Sequence, residues 1–184
     1  YFVFIPSVLL ISSSDINFHY DAAYYHLNNQ NWLRESNMVI GMVNIFWPFG
    51  MSSIYEYLSA ILWFDSLIYL HFLSLLFIQV FYAFVFFNII SSKNVFLKNG
   101  SILLIIFSIL DNFGLEGGRN GFIYIQEVGK QDMSVAIIIC ILSILIINIF
   151  KSNEVNNIDL VVLSILTLFV LQVKVSSVYI LFLY

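Results

Sequence analysis

The chain has 184 residues, a formal net charge of −4 and a composition that is 61% hydrophobic and 10% charged, with a mean hydropathy of +0.94. Soluble domains carry about 45–50% apolar and about 25% charged residues; a water-soluble core of this length could not hide the surplus, so lipid is the expected solvent for much of the chain. Seven scattered Lys and Arg residues form no basic patch, which argues against nucleic acid as a partner, and a single Cys140 inside an apolar run excludes an intramolecular disulfide and a thiolate metal site.

The expected fold class is all-α: a polytopic transmembrane helical bundle with amphipathic interfacial helices in the first extracytoplasmic loop. Crossing the hydrocarbon takes about 20 apolar residues. Segment 1–11, "YFVFIPSVLLI", reads as the surviving end of a first span, and 12–66 as a first outer loop. Segment 67–90 is long enough to be a second span, and 95–115 makes a third if it runs across Lys98. Residues 116–131 form a second outer loop, 132–150 a fourth span, 158–173 a fifth, and 175–184 begins a sixth. Because the sequence starts at Tyr1 and stops within "VSSVYILFLY", residues 1–184 are expected to be one membrane domain, the N-terminal fragment of a longer chain.

The first loop holds five acids (Asp15, Asp21, Glu35, Glu56, Asp65) and one base, Arg34. In its latter part, "MSSIYEYLSAILWF", Ile54, Leu58 and Ile61 share one helical face, and Ser52, Glu56, Ser59 and Trp63 another. That spacing describes a helix lying in the interface plane. A membrane-crossing helix over 49–64 would be short and would carry Glu56 to mid-bilayer, at a cost of several kcal/mol by order of magnitude.

Orientation follows from the basic loops. Residues 91–99 contain Lys93 and Lys98 and no acid, and short basic loops stay cytoplasmic. Both longer loops are then extracytoplasmic, with Lys151 on the inner side and Lys174 at the outer end of the fifth span. The expected location is a multi-pass bacterial inner-membrane protein.

On the outer surface Asp21 follows the first span and Asp132 opens the fourth. Two carboxylates at one membrane rim suit chemistry on a lipid-linked phosphate: one accepts a proton from an acceptor hydroxyl or amine, and the other helps hold a divalent cation, Mg or Mn. Each also has a plain structural reading, because an aspartate at a helix N-terminus caps free N–H groups and stabilises the helix by about 0.5–2 kcal/mol. Tyr24 and Tyr25 share the Asp21 face of the helix in "AAYYHLNNQNWL" and would line any pocket around it. His26 stands too far round that helix for a dyad with Asp21, and His19 and His26 read more readily as interfacial hydrogen-bonders than as metal ligands. Lys174 interrupts "LFVLQVKVSSVYILF", so it either snorkels to the surface or faces a polar cavity and neutralises a phosphate. Arg34, Arg119 and Lys130 are the other outer bases that could meet a phosphate, with loop solvation as the plain alternative.

An N-terminal span, "YDAAYYHL", a Trp-bearing helix, "VIGMVNIFWPFGMSSIYEYLSAILWF" and a long second span together resemble the GT-C superfamily of integral-membrane glycosyltransferases, in particular the protein O-mannosyltransferase and aminoarabinose transferase group and its bacterial relatives. The resemblance implies a catalytic acid at Asp21 with Tyr24 and Tyr25 beside it, a second acid at Asp132 in "GKQDMSVAI", and a lysine motif at Lys174 in "LQVKVSS". It departs from the mannosyl group at Asp21-Ala22, where most members have Asp-Glu, and it lacks the Lys-Pro-Pro of aminoarabinose transferases, with "FWPFG" a poor substitute. The implied activity is an inverting transfer from a polyprenyl-phosphate-linked sugar donor to a lipid, glycan or protein acceptor, with Asp21 as general base and Tyr24, Tyr25, His26, Arg34 and Lys174 binding substrate or phosphate. Asp132 is the implied metal ligand. The rival expectations are a non-catalytic scaffold that binds a lipid-linked glycan, and a transporter.

Overall fold

The structure is a computed structural model that describes residues 3–4, 7, 20–37, 40–50, 53–64, 67–113, 131–151 and 156–183. The first span, most of the second outer loop and the bases Arg119 and Lys130 lie outside the described residues, as does His19. All regular structure among the described residues is helical. A π-helical turn, Ala22–His26, leads into α1 (Leu27–Glu35). Short 3-10 turns at Met42–Asn44 and Trp47–Gly50 precede α2 (Ile54–Leu62). Then come α3 (His71–Ser91), α4 (Val95–Phe113), α5 (Asp132–Lys151) and α6 (Asn157–Val173), and a 3-10 helix Val175–Leu183 closes the chain.

Two helices are long and apolar enough to cross a membrane, Phe72–Ser91 and Asp132–Lys151; Val95–Ser108 and Asn157–Val173 are shorter apolar helices. Helices α3 and α4 form an antiparallel hairpin. Its turn is fixed locally: the Asn94 amide donates to Ser92 Oγ at 3.1 Å, and the Phe96 amide donates to Asn94 Oδ1 at 3.0 Å. Tyr82 and Ser108 join the two helices through a hydroxyl–hydroxyl hydrogen bond of 3.1 Å. Helices α5 and α6 pair the same way, with Asn156 capping α6 by accepting from the Ile158 amide at 3.0 Å. Leu75, Ile78 and Tyr82 of α3 pack against Ile137 and Ile141 of α5, which joins the two hairpins.

These contacts give the bundle two chemically different ends. Lys151, closing α5, stands over the Phe96 ring at 4.2 Å, so it lies at the end that carries Lys93 and Lys98. At the other end α3 and α5 begin and α6 finishes. Here α2 is fastened across the bundle: Ser53 Oγ accepts from the Tyr55 amide at 3.2 Å and donates to the Val173 carbonyl at 2.6 Å, while Tyr55 and Ser74 share a hydroxyl hydrogen bond of 3.0 Å. Tyr55 is part of the core with Leu73, Val135, Leu142 and Val170.

Helix α2 turns polar residues toward the bundle. Glu56 and Ser59 point inward, and Ile61 is 70% exposed. The expected apolar face is divided: Ile54 and Leu58 pack partly against the core, Tyr55 and Ala60 are buried beside Glu56 and Ser59, and of that face Ile61 alone is turned well outward. Residues after Lys174, expected to begin a further span, wind back as the 3-10 helix. Lys174 leaves the helical region (φ −150, ψ 115), and Ser177 Oγ donates to the carbonyls of Val170 at 3.0 Å and Lys174 at 2.5 Å.

Candidate functional site

The site is built where α1, α2 and the ends of α5 and α6 meet. Asp132 is the first residue of α5 and Lys174 the residue after α6, so antiparallel pairing of those helices brings them together. Lys174 Nζ donates to Asp132 Oδ1 in an ion pair, with side-chain exposures of 37% and 48%. Lys174 therefore neither snorkels alone nor sits inside the bundle.

Asp21, half-buried, precedes the π-helical turn. That turn is the local device that aims the next residues. A π-turn widens the helix and rotates its side chains relative to an α-helix, and such turns concentrate at functional sites. Here it leaves Tyr24 exposed, Tyr25 half-buried and His26 buried. Tyr24 stacks on Tyr20 with centroids 5.3 Å apart and meets the edge of Phe46 at 5.1 Å. Phe46 reaches this position after the reversal at Gly41, whose φ of 89° is in the left-handed region that glycine adopts without a Cβ clash.

Tyr25 is the residue on which the acids converge. Its phenol is held above the ordinary value of 10.0, first by desolvation and then by the negative charges of Asp21, Asp132 and Glu56. Asp21, Glu56 and Asp132, far apart in sequence from one another, thus all lie near enough for their charge to act on one half-buried hydroxyl, which stays protonated and able to donate at neutral pH.

Beneath Tyr25, whose ring centroid is 4.2 Å from that of His26, lies a second polar group. His26 Nδ1 is 2.6 Å from Glu56 Oε1, and Asn29 Nδ2 donates to Glu56 Oε2. An ionised Glu56 can only accept, and the proton it shares with His26 then sits on Nδ1. His26, expected from the resemblance at the substrate surface, is instead buried against α2. Glu56 was legible as an acid too costly for mid-bilayer, and its Ser59 neighbour as part of a polar face; nothing in the spacing paired them with His26 and Asn29. Arg34 is not brought to the rim: it stands at the far end of α1 with its guanidinium over the Trp63 ring at 5.4 Å. Arg34 lies thirteen positions along the chain from Asp21, roughly 15–20 Å along the helix axis.

Among the described residues Asp132 is engaged by a lysine and not by a cluster of further acids or histidines. No group of three or more His, Cys, Asp or Glu able to hold an ion occurs among the described residues, and the Lys174 ammonium occupies the Asp132 oxygen that a cation would use. What the rim offers chemically is the Asp21 carboxyl, the phenol of Tyr25, and an ammonium held by a second acid, Asp132.

A family model described as a domain of unknown function, DUF8201, matches residues 1–184. The chain belongs to this family. No curated protein and no solved structure matches it. The DUF8201 description carries no activity, so the role of this rim rests on its geometry and chemistry.

Proposed function

We propose that this DUF8201 domain is a multi-pass membrane glycosyltransferase of GT-C type, working at the extracytoplasmic face on a polyprenyl-phosphate-linked sugar in cell-surface glycan or polysaccharide assembly. The observation that carries the reading is the convergence of Asp21 and Asp132 on Tyr25, with Lys174 paired to Asp132. The segregation of Lys93, Lys98 and Lys151 to the opposite end supports the orientation, because basic ends are retained in the cytoplasm.

In the proposed reaction the Asp21 carboxylate accepts the proton of an acceptor hydroxyl as that oxygen attacks the anomeric carbon. The bond from that carbon to the phosphate oxygen breaks, its electron pair stays on the phosphate, and the polyprenyl phosphate leaves with inversion at the sugar. Lys174 faces the leaving phosphate and offsets its charge, and Tyr25 donates a hydrogen bond to the same group. Asp132 holds Lys174 in place. The exposed aromatic and aliphatic residues Tyr20, Tyr24, Ile45 and Trp47 give the prenyl chain an apolar approach to the rim. A divalent cation would have to displace Lys174 from Asp132, and no step is assigned to one.

The test is Asp21→Asn in the full-length protein, expressed in its own membrane. Loss of the glycan product with unchanged protein level and thermal stability supports transfer; an unchanged product defeats it. A scaffold or a transporter would keep the product's chemical structure and change only its amount or its side of the membrane.

A further inference from the structure

The strongest unassigned feature is the seam between α1 and α2. The two helices run parallel, since His26, just before α1, and Asn29 within it meet Glu56 of α2, while Arg34, further on, meets Trp63 just after α2. Gln30, one turn beyond His26 on the same face, therefore lies level with Ser59, which is one turn beyond Glu56. Gln30 is 0% exposed and Ser59 1% exposed, and Gln30 Oε1, Gln30 Nε2 and Ser59 Oγ have no hydrogen-bond partner among the described residues. A buried polar atom left unpaired costs about 1–3 kcal/mol. Two aliphatic side chains in the same places would pack this seam at no such cost.

We propose that this seam, next to the His26–Glu56 pair, is the binding site for the sugar ring of the lipid-linked donor, with Gln30 and Ser59 hydrogen-bonding its hydroxyls. The chemistry of the lining selects the ligand. A glutamine amide and a serine hydroxyl both donate and accept, as sugar hydroxyls do. The Glu56 carboxylate at the top of the seam repels a phosphate, so the anionic part of the donor stays outside with Lys174. Tyr25, which feels Asp21, Asp132 and Glu56 together, stands between the two parts. His26 and Asn29 hold Glu56 by both oxygens, so the wall that faces the ligand is fixed.

This assignment rests on the glycosyltransferase reading for its choice of donor, and its test separates the two. The full-length protein in detergent is titrated with undecaprenyl phosphate and with a panel of undecaprenyl-phosphate hexoses and pentoses. Wild type is expected to bind at least one sugar-bearing lipid more tightly than undecaprenyl phosphate. Gln30→Leu and Ser59→Ala are expected to reduce that preference by about tenfold or more, because a site built to pair hydroxyls discriminates through them. Both should leave the affinity for undecaprenyl phosphate unchanged, and Gln30→Leu should raise the melting temperature by removing unpaired buried atoms. Lys174→Ala should weaken all lipids alike. No sugar preference in wild type, or the same preference in both variants, overturns the site. Loss of preference in the variants with no transfer by wild type keeps the site and removes the transferase; normal transfer with preference intact in Gln30→Leu does the reverse.

Discussion

Lys174 and Asp132, which bound two antiparallel helices at the same end, form an ion pair whose members are each more than a third exposed. Such a pair is a weak fold determinant, worth about 0.2–1 kcal/mol in water-facing settings. The Asp132 charge also acts on Tyr25, and that link is what gives the pair a use in the proposed function. Lys174→Ala should therefore reduce donor binding and transfer by at least about tenfold, the loss expected of one charge-assisted contact to phosphate. Thermal unfolding of the same variant should shift little. A large drop in stability with transfer unaffected would make the pair structural.

Glu56 should behave in the opposite way. It is buried, accepts from His26 and Asn29, and fastens α1 to α2. Removing one partner of a buried pair costs about 3–5 kcal/mol because the other is left uncompensated. Glu56→Ala should lower the melting temperature strongly, and Glu56→Gln less, since the amide keeps an acceptor for Asn29 or His26. Equal melting curves for wild type and Glu56→Ala would show that the seam contributes nothing to the fold.

Tyr25 and Tyr55 set an alkaline limit. Burial raises both phenols, with the neighbouring carboxylates adding to the effect at Tyr25 and the hydroxyl of Ser74 opposing it at Tyr55. A phenol raised in the folded state binds its proton more tightly than in the unfolded chain. Its contribution is complete below the ordinary value of 10.0 and is lost as pH rises through the folded value. Stability should be flat toward neutral pH and fall above about pH 10, and Tyr25→Phe should flatten part of that fall. Tyrosinate absorbance followed together with unfolding measures both; ionisation of every tyrosine near pH 10 in the folded protein would contradict it.

Chelation offers a separate test of the rim. With Lys174 on Asp132, transfer should persist in excess EDTA, and added Mg or Mn should change it by less than about twofold. Abolition by EDTA and recovery with Mg would require a cation at Asp132 and a different position for Lys174.

The chain's hydrophobic runs made the helices readable: α4, α5 and α6 fall almost on the segments expected, because apolar length is a property of contiguous sequence. Asp132 and Lys174 were each legible as boundary residues, and the antiparallel pairing of α5 and α6 supplies the contact between them. The polar face of α2 was also visible, in Glu56 and Ser59. What faces it was not. His26 was readable as a hydrogen-bonder set away from Asp21, but its partner Glu56 lies thirty residues on, and no local spacing in "YDAAYYHL" points to it. Gln30 gave no signal at all, since a glutamine in "HLNNQNWL" looks like an exposed residue until its helix is laid against α2. Likewise, no pattern in "VSSVYILFLY" announces a 3-10 helix; the bonds from Ser177 to carbonyls of the preceding turn produce it.

The most direct test is a single-turnover reaction of the full-length protein, purified and reconstituted in lipid, with a labelled polyprenyl-phosphate sugar and an acceptor glycan. Wild type should release one polyprenyl phosphate for each inverted glycosidic bond formed, and Asp21→Asn should slow that release by about a hundredfold or more, the span of general-base catalysis. Equal rates of release from wild type and Asp21→Asn would contradict the account.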